Sequence, residues 1–278
     1  MTTTHLKSAF AIAALSIALV STANADVCKA KHEFKTIKPG VLTVTSAVVP
    51  PFVIRGDDGQ ASGVDIEVVR TFAADNCLKL EHVFTDSAAA IQYVASGRSD
   101  LSVGAWYRTS ARAKVLGISD PIYLEQTAIY SRDGATEFNQ LKDRKVGTVQ
   151  GYLWVPELKK LYGSNLSLYP TAVALAQDLS TGRIQAAVNT YSIGVETQRK
   201  GGMPADIQVK VASPDPAVES SIEPAQASYL FAKTNSELGV ALNGTIKKIH
   251  ENGDLVKWLK NVGLEASAAE TGEARYAD

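Results

Sequence analysis

The sequence has few of the residues and motifs that identify an active site at once. It contains two cysteines and four histidines among 278 residues, and no histidine stands at a metal-ligand spacing from another histidine or from a cysteine. It has no Gly-x-x-x-x-Gly-Lys phosphate loop and no Gly-x-Ser-x-Gly nucleophile elbow. We therefore expect no metal ion, no cofactor and no catalytic residue.

An excess of charge of one sign is also absent. The chain has 28 lysines and arginines against 29 aspartates and glutamates, which gives a formal net charge of −1. A balance this close to neutral gives no reason to expect nucleic acid or a membrane surface as a partner.

Long apolar runs are missing except near the start of the chain. Residues 9–20 are almost wholly apolar, follow Lys7 and precede Ala23-Asn24-Ala25, which has the A-x-A form of a cleavage site. This pattern predicts a secretory signal peptide over residues 1–25. A transmembrane helix needs about 20 apolar residues, and this run is shorter. We expect an exported, soluble protein that is a monomer.

The two cysteines, Cys28 and Cys77, both lie after the predicted leader. A single pair in an oxidising compartment usually forms a disulfide. The alternative is two unrelated thiols, one of them buried. We predict the disulfide, which would tie the start of the mature chain to the end of the first predicted helix.

Short β-branched segments alternate with helical patterns along the chain. Residues 41–46 predict a strand, and the apolar residues of 65–76 fall on one helical face. Such alternation is typical of α/β units with mostly parallel sheets. The pattern helix, Ser96-Gly97-Arg98, strand recurs as helix, Thr181-Gly182-Arg183, strand. Because ligands bind beyond the carboxyl ends of such strands, we expect two similar lobes facing across a cleft.

A candidate anion site follows the strand predicted at residues 100–104. Thr109 and Ser110 are capping candidates for a short helix that carries Arg112 in its first turn. Free backbone N–H groups at a helix start, with a guanidinium beside them, suit a carboxylate. The helix dipole mildly disfavours a cation there, so we interpret Arg112 as a ligand-binding residue. The alternative is an ordinary surface arginine.

A series of short motifs extends over about residues 40–264. In chain order they are Pro50-Pro51-Phe52, Gly63-Val64-Asp65, Ser96-Gly97-Arg98-Ser99-Asp100-Leu101, Arg112 with Ser119-Asp120-Pro121-Ile122-Tyr123, Lys145-Val146-Gly147 with Gln150-Gly151, Thr181-Gly182-Arg183-Ile184, and Gly253-Asp254-Leu255 to Trp258. In order and spacing they resemble the periplasmic solute-binding proteins of polar amino-acid ABC transporters, bacterial extracellular solute-binding protein family 3.

The resemblance implies the type II periplasmic binding protein fold. This fold has two α/β lobes, each a mostly parallel sheet flanked by helices, joined by two hinge strands. Lobe I would comprise residues 26–124 and 223–265, and lobe II residues 125–222. Residues 266–278 are poor in apolar side chains and predict a flexible, solvated tail.

The resemblance also implies roles for individual residues. In this family the arginine at the position of Arg112 pairs with the carboxylate of the ligand, aided by neighbouring hydroxyl groups, for which Thr109 is the candidate. Phe52 would pack on the side chain of the ligand. The loop at Gln150 and Gly151 would add backbone N–H groups to the carboxylate.

Three further aromatic residues, Trp106, Tyr107 and Tyr152, either line the cleft or pack within the lobes. Two adjacent residues of a strand point to opposite faces, so at least one of Trp106 and Tyr107 is expected at the cleft. Thr190 stands where the family usually has an aspartate for the ammonium group of the ligand. Its hydroxyl accepts a hydrogen bond but offers no countercharge.

The leading hypothesis is the periplasmic binding component of an ABC importer. Such a protein would capture an amino acid or a related small carboxylate and deliver it to a permease in the inner membrane. One alternative is an enzyme on the same scaffold, similar to cyclohexadienyl dehydratases, with Glu125 or Glu196 as the candidate proton donor. The other alternative is a sensory or accessory ligand-binding protein with the same two lobes.

Overall fold

A computed structural model describes residues 1–2 and 28–277, so the predicted signal peptide lies outside the described residues except for its first two. The first part of the chain contains β1 (Val41–Ser46), β2 (Ile54–Arg55), β3 (Ala61–Ser62), α1 (Val64–Asp75), β4 (Lys79–Phe84), α2 (Ser87–Ala95), β5 (Leu101–Tyr107), α3 (Ser110–Val115), β6 (Gly117–Ile118) and β7 (Tyr123–Glu125). The middle part contains β8 (Thr127–Ser131), β9 (Val146–Val149), α4 (Val155–Tyr162), β10 (Leu166–Tyr169), α5 (Ala172–Ser180), β11 (Ala186–Thr190), α6 (Tyr191–Arg199), β12 (Gln208–Val211) and α7 (Glu219–Ile222). The last part contains β13 (Ala225–Phe231), α8 (Ser236–Glu251) and α9 (Asp254–Asn261). None of the helices within residues 28–277 has the length and apolar content that crossing a bilayer requires.

Two separate sheets divide the molecule into two lobes. The sheet of lobe I has the strand order β4-β1-β5-β13-β6, with β7 also paired to β13. The sheet of lobe II has the order β10-β9-β11-β8-β12. The chain leaves the first sheet between β7 and β8 and returns between β12 and β13. The predicted two-lobed α/β architecture is therefore confirmed.

Both sheets are mixed, whereas the sequence predicts mostly parallel sheets. In lobe I, β1 runs parallel to β4 and β5, but β13 is antiparallel to β5, β6 and β7. In lobe II, β9 runs parallel to β10 and β11, but β8 is antiparallel to β11 and β12. The strands β8 and β13 are those that follow the two crossings. Parallel pairing needs a crossover connection over the same sheet, and a strand that arrives from the other lobe has none.

A buried acidic side chain at the start of α1 holds the irregular middle of β5 in place. Gly63 precedes this helix with φ 108°, and a Cβ there would lie 2.4 Å from the carbonyl oxygen of Phe52. Asp65 in the first turn accepts hydrogen bonds from the Gly104 backbone N–H (2.8 Å) and from the Tyr123 hydroxyl (2.8 Å). Burial raises the pKa of Asp65, and these hydrogen bonds oppose the rise. The middle of β5, at Gly104, is thus anchored to the core of lobe I.

The predicted disulfide between Cys28 and Cys77 is present. The two Cα atoms lie 5.7 Å apart, and the cysteines are 49 positions apart in sequence. Cys77 follows directly on Asn76, the C-cap of α1. Lys31 pairs with Asp75 at the same helix end, with an N–O distance of 2.8 Å. The segment that precedes β1 is therefore held covalently and non-covalently to the end of α1.

The chain after residue 265 lies against lobe I, whereas the sequence predicts a flexible, solvated tail. A 3-10 helix covers Ala266–Ala269. Beyond it, the Gln226 side chain of β13 donates from Nε2 to the Thr271 carbonyl oxygen (2.8 Å) and accepts at Oε1 from the Arg275 N–H (2.8 Å). This polar segment is held by hydrogen bonds to its backbone. Such bonds cannot be predicted from the amino-acid composition of the segment.

Candidate functional site

A cavity of about 430 Å³ lies between the two lobes. Its lobe I wall comes from the end of β5 and from α3, and its lobe II wall from the loop after β9 and the start of α6. Residues beside the two crossings complete it. The wall residues that bring aromatic, charged or hydroxyl groups include Phe52, Trp106, Tyr107, Arg112, Glu125, Tyr152 and Thr190. A cavity of this size suits a small molecule.

Arg112 is a cation of the cavity wall that lacks an acidic partner. Its guanidinium Nη1 donates to the Tyr107 carbonyl oxygen, and Cζ lies 5.1 Å from the centre of the Trp106 ring. It forms no ion pair with any carboxylate within residues 28–277. Burial lowers the pKa of Arg112, but a guanidinium stays protonated in proteins. Its remaining N–H groups are suited to a carboxylate, which accepts two parallel hydrogen bonds from arginine.

Thr109 serves as the N-cap of the short helix α3. Its Oγ1 accepts a hydrogen bond from the Arg112 backbone N–H at 3.3 Å, as a capping threonine does. The helix has only six residues, so its dipole contributes little. The expected socket of free backbone N–H groups is therefore reduced, and the guanidinium of Arg112 is the principal donor on this side of the cavity.

An irregularity in β5 gives Trp106 and Tyr107 different surroundings. Gly104 (φ 117°) and Ala105 (φ 53°) have positive φ where the register between β5 and β13 shifts. Trp106 is buried within lobe I, and its Nε1 donates to the Ser102 hydroxyl at 3.0 Å. Tyr107 lies among the charged groups of the cavity, and burial raises its pKa well above the ordinary value. Both residues line the cavity, although Trp106 is mainly a packing residue.

Phe52 belongs to the core of lobe I. Its ring stacks on the Tyr123 ring with a centroid distance of 4.4 Å and an interplanar angle of 7°, and only 1% of the residue is exposed. It reaches the cavity as part of the wall. The structure therefore differs from the resemblance, which implies an aromatic side chain available to pack on the ligand.

The loop after β9 forms the lobe II wall. The Gln150 N–H donates to the Tyr169 carbonyl oxygen at 2.9 Å, and Gln150 is exposed and does not line the cavity. This N–H is therefore already hydrogen-bonded within lobe II. It is not available to the ligand carboxylate, contrary to the role that the resemblance implies. Gly151 and Tyr152 do line the cavity, and the Tyr152 ring packs edge-on against Trp154 at 5.1 Å.

Glu125 is a buried carboxyl group of the cavity wall, and its sequence context suggested only a candidate proton donor. It ends β7 at the first crossing and is 8% exposed. The Ser192 hydroxyl, at the start of α6, donates to its Oε2 at 3.0 Å, and the Thr190 hydroxyl oxygen lies 3.3 Å from that of Ser192. Burial raises the pKa of Glu125 to about 8, the Ser192 hydrogen bond opposes the rise, and the charge of Asp65 adds to it.

The position of Glu125 in its strand gives one indication of its burial. Glu125 stands two residues after Tyr123, so both side chains lie on one face of the strand, and Tyr123 is fully buried. Glu196, the other candidate proton donor, pairs instead with Arg199 (2.7 Å) and Lys200 (3.1 Å) and does not line the cavity. No group of three or more histidine, cysteine or acidic residues able to hold a metal ion occurs in the described part of the chain.

Comparison with known proteins relates these features to a family. The model of the bacterial extracellular solute-binding proteins, family 3, matches residues 41–262. The chain is 24% identical over 215 residues to the probable amino-acid-binding protein YxeM of Bacillus subtilis (strain 168), which covers 74% of this chain and 77% of that protein.

The fold is shared with solved structures, two of which are given as examples. One is an ancestral cationic amino acid solute binding protein, with a TM-score of 0.67 and 20% identity over 81% of this chain and 96% of that one. The other is substrate-binding domain 2 of Lactococcus lactis GlnP in an open conformation, with a TM-score of 0.67 and 21% identity over 84% of this chain and 98% of that one. The type II two-lobed fold expected from the sequence is thereby confirmed.

Proposed function

We propose that this chain, which belongs to the bacterial extracellular solute-binding proteins of family 3, captures an amino acid or a related small carboxylate between its lobes. The observation that carries the proposal is the half-buried guanidinium of Arg112, which lines the interlobe cavity without a partner carboxylate. A ligand carboxylate would supply the missing countercharge and gain charge-assisted hydrogen bonds in a closed cleft.

The transport role is part of the same proposal. A binding protein of this kind would work as a monomer in the periplasm and deliver its ligand to an ABC permease in the inner membrane. The extracellular character of the family and the secretory pattern of residues 1–25 support this location. The relative from Bacillus subtilis, a probable amino-acid-binding protein, supports the ligand class.

The test is calorimetric titration of the exported form with the twenty amino acids, followed by the same titrations of Arg112→Ala. We expect at least one amino acid to bind, and the variant to bind it about thirtyfold more weakly or worse, because a buried hydrogen-bonded charge is removed. Arg98→Ala is the matched control, since Arg98 lies over the Tyr93 ring away from the cavity. Binding within about threefold of wild type in Arg112→Ala would overturn the assignment.

A second candidate function is supported by Glu125. A carboxyl that stays protonated near neutral pH, within a cavity that also holds an arginine, has the properties of a general acid. A cyclohexadienyl dehydratase-like enzyme would use it to protonate a leaving hydroxyl group. Incubation with prephenate and with arogenate tests this: turnover that disappears in Glu125→Gln would support the enzyme, and absence of turnover would exclude it.

A further inference from the structure

We propose that Glu125 binds the protonated nitrogen of the ligand, so that the cavity selects a carboxylate that also carries an ammonium or guanidinium group. The inference rests on the proposed function and adds to it the second half of the recognition site.

The first support is the uncompensated burial of Glu125. It is 8% exposed and lines the cavity, yet it forms no ion pair with any lysine, arginine or histidine within residues 28–277. Its Oε2 accepts one hydrogen bond, from the Ser192 hydroxyl, and its Oε1 accepts none from the described residues. An unpaired buried carboxylate is costly, so the empty site favours the protonated form. A cation that enters with the ligand would allow the carboxyl group to ionise.

The second support is that an arginine and an acid line the same cavity without pairing. Arg112 and Glu125 form no ion pair with each other, although both act electrostatically on the Tyr107 hydroxyl. Each therefore faces the cavity without a partner of opposite charge among residues 28–277. A ligand with an anionic and a cationic end matches both, whereas a simple carboxylate satisfies only Arg112.

The surroundings of Glu125 suit a cationic nitrogen. The Thr190 and Ser192 hydroxyl oxygens stand next to its carboxyl and are hydrogen-bond acceptors as well as donors. The Tyr107 and Tyr152 rings line the same cavity, and aromatic faces attract ammonium and guanidinium groups. Each of these groups is uncharged near neutral pH, so none repels an incoming cation.

Binding is expected to release a proton. The titratable and charged groups around Glu125 are Asp65 and Tyr123 from the lobe I core, Tyr107 and Arg112 from the lobe I wall, Tyr130 and Tyr152 from lobe II, and Glu223 beside the second crossing. The pKa of Glu125 is raised to about 8 by burial, so the empty site holds its proton at pH 7. A bound cation favours the ionised carboxylate, and close to one proton would leave per ligand bound.

The experiment compares probes with and without a positive charge. L-glutamine and glutaramate differ by the ammonium group alone, and L-arginine carries a cation at both ends. Each is titrated at pH 7 in phosphate and in Tris buffer, with the wild type, Glu125→Gln, and the control Glu251→Gln, whose exposed carboxylate lies far from the cavity. The difference between buffers reports the protons released.

We expect the wild type to bind L-arginine or L-glutamine with release of nearly one proton, and to bind glutaramate with none. Glu125→Gln should lose about thirtyfold or more in affinity for the amino acids, lose the proton release and keep its affinity for glutaramate. Glu251→Gln should match the wild type. If Glu125→Gln folds poorly, the two-buffer titration of the wild type still tests the inference, because release of nearly one proton supports it and absence of proton release contradicts it.

Two results would overturn the inference while leaving the proposed function in place. The first is binding of L-glutamine by Glu125→Gln within about threefold of the wild type while Arg112→Ala fails to bind. The second is equal affinity of the wild type for glutaramate and L-glutamine. If none of the twenty amino acids binds the wild type, the proposed function fails, and the inference fails with it.

Discussion

A carboxyl buried at the first lobe crossing makes the stability of the empty protein depend on pH. The pKa of Glu125 is raised to about 8 in the folded chain by burial, whereas an unfolded glutamate titrates near 4.3. At pH values between these two pKa values, the folded state therefore holds a proton that the unfolded state has lost. Stability from this group is full below the unfolded pKa and is lost as the pH rises through the folded one.

We expect the free energy of unfolding of the wild type to fall relative to Glu125→Gln by about 1.4 kcal/mol per pH unit between pH 5 and 8. Urea unfolding at a series of pH values measures it. Asp65 also has a raised pKa, but it is common to both proteins and cancels in the difference. Parallel stability curves for the two proteins would contradict the prediction.

At the scale of single residues, sequence reasoning predicted some cavity residues and not others. Arg112 and Thr109 follow a helix-start pattern that is local, and the structure places both at that helix start, although only Arg112 of the two lines the cavity. Gln150 and Phe52 depend on where a backbone N–H and a ring find partners in the fold, and those partners, Tyr169 and Tyr123, are distant in sequence. Glu125 is surrounded by residues of both lobes, and its alternation with Tyr123 indicates only which strand face it shares.

At the scale of elements, the start of α1 depends on Gly63. Its φ is 108°, and a Cβ there would lie 2.4 Å from the Phe52 carbonyl oxygen. We expect Gly63→Ala to destabilise the protein by about 2–4 kcal/mol, because strain and overlap with the backbone act together. The control is Gly59→Ala: Gly59 has φ 77° but no atom within 4 Å of the added Cβ. It should cost about 1 kcal/mol. Equal losses of unfolding free energy in the two variants, measured with urea, would show that the close contact at Gly63 has no effect.

The disulfide contributes at the other end of the same helix. Reduction of the bridge between Cys28 and Cys77 releases a loop spanned by 49 residues. We expect reduction, or the change of both cysteines to serine, to lower the free energy of unfolding by about 2–4 kcal/mol. Denaturation with and without reductant measures this. The serine double variant should not respond to reductant, and a response there would point to another cause.

The order of the elements was predictable and the direction of some strands was not. The short β-branched segment 41–46 predicts a strand and the helical periodicity of 65–76 predicts a helix, and both are present as β1 and α1. The antiparallel direction of β8 and β13 follows from where the chain changes lobes. A crossing leaves no periodic signal, because it depends on contacts between distant segments.

At the scale of the whole molecule, the last described residues connect the second crossing to the cavity. The Gln226 amide of β13 holds the backbone of Thr271 and Arg275. Arg108, just after β5, donates from Nε to the Arg275 carbonyl oxygen (3.2 Å) and accepts the Ala277 N–H at its own carbonyl oxygen (2.8 Å). Ala277 in turn lines the cavity between the lobes. This segment therefore belongs to the folded unit that shapes the cavity.

Removal of residues 271–278 tests that conclusion. Gln226 is 2% exposed, so the truncation leaves a buried amide without the partners it has in the intact chain. We expect a loss of about 1–3 kcal/mol in the free energy of unfolding, the usual cost of an unsatisfied buried polar group. In a Gln226→Leu background the amide is absent, so the same truncation leaves no amide unsatisfied and should cost less, with only contacts such as those to Arg108 lost. A double-mutant cycle by urea unfolding should thus give a coupling energy of about 1 kcal/mol or more. Strictly additive effects would mean that the tail and β13 are energetically independent, whatever their hydrogen bonds.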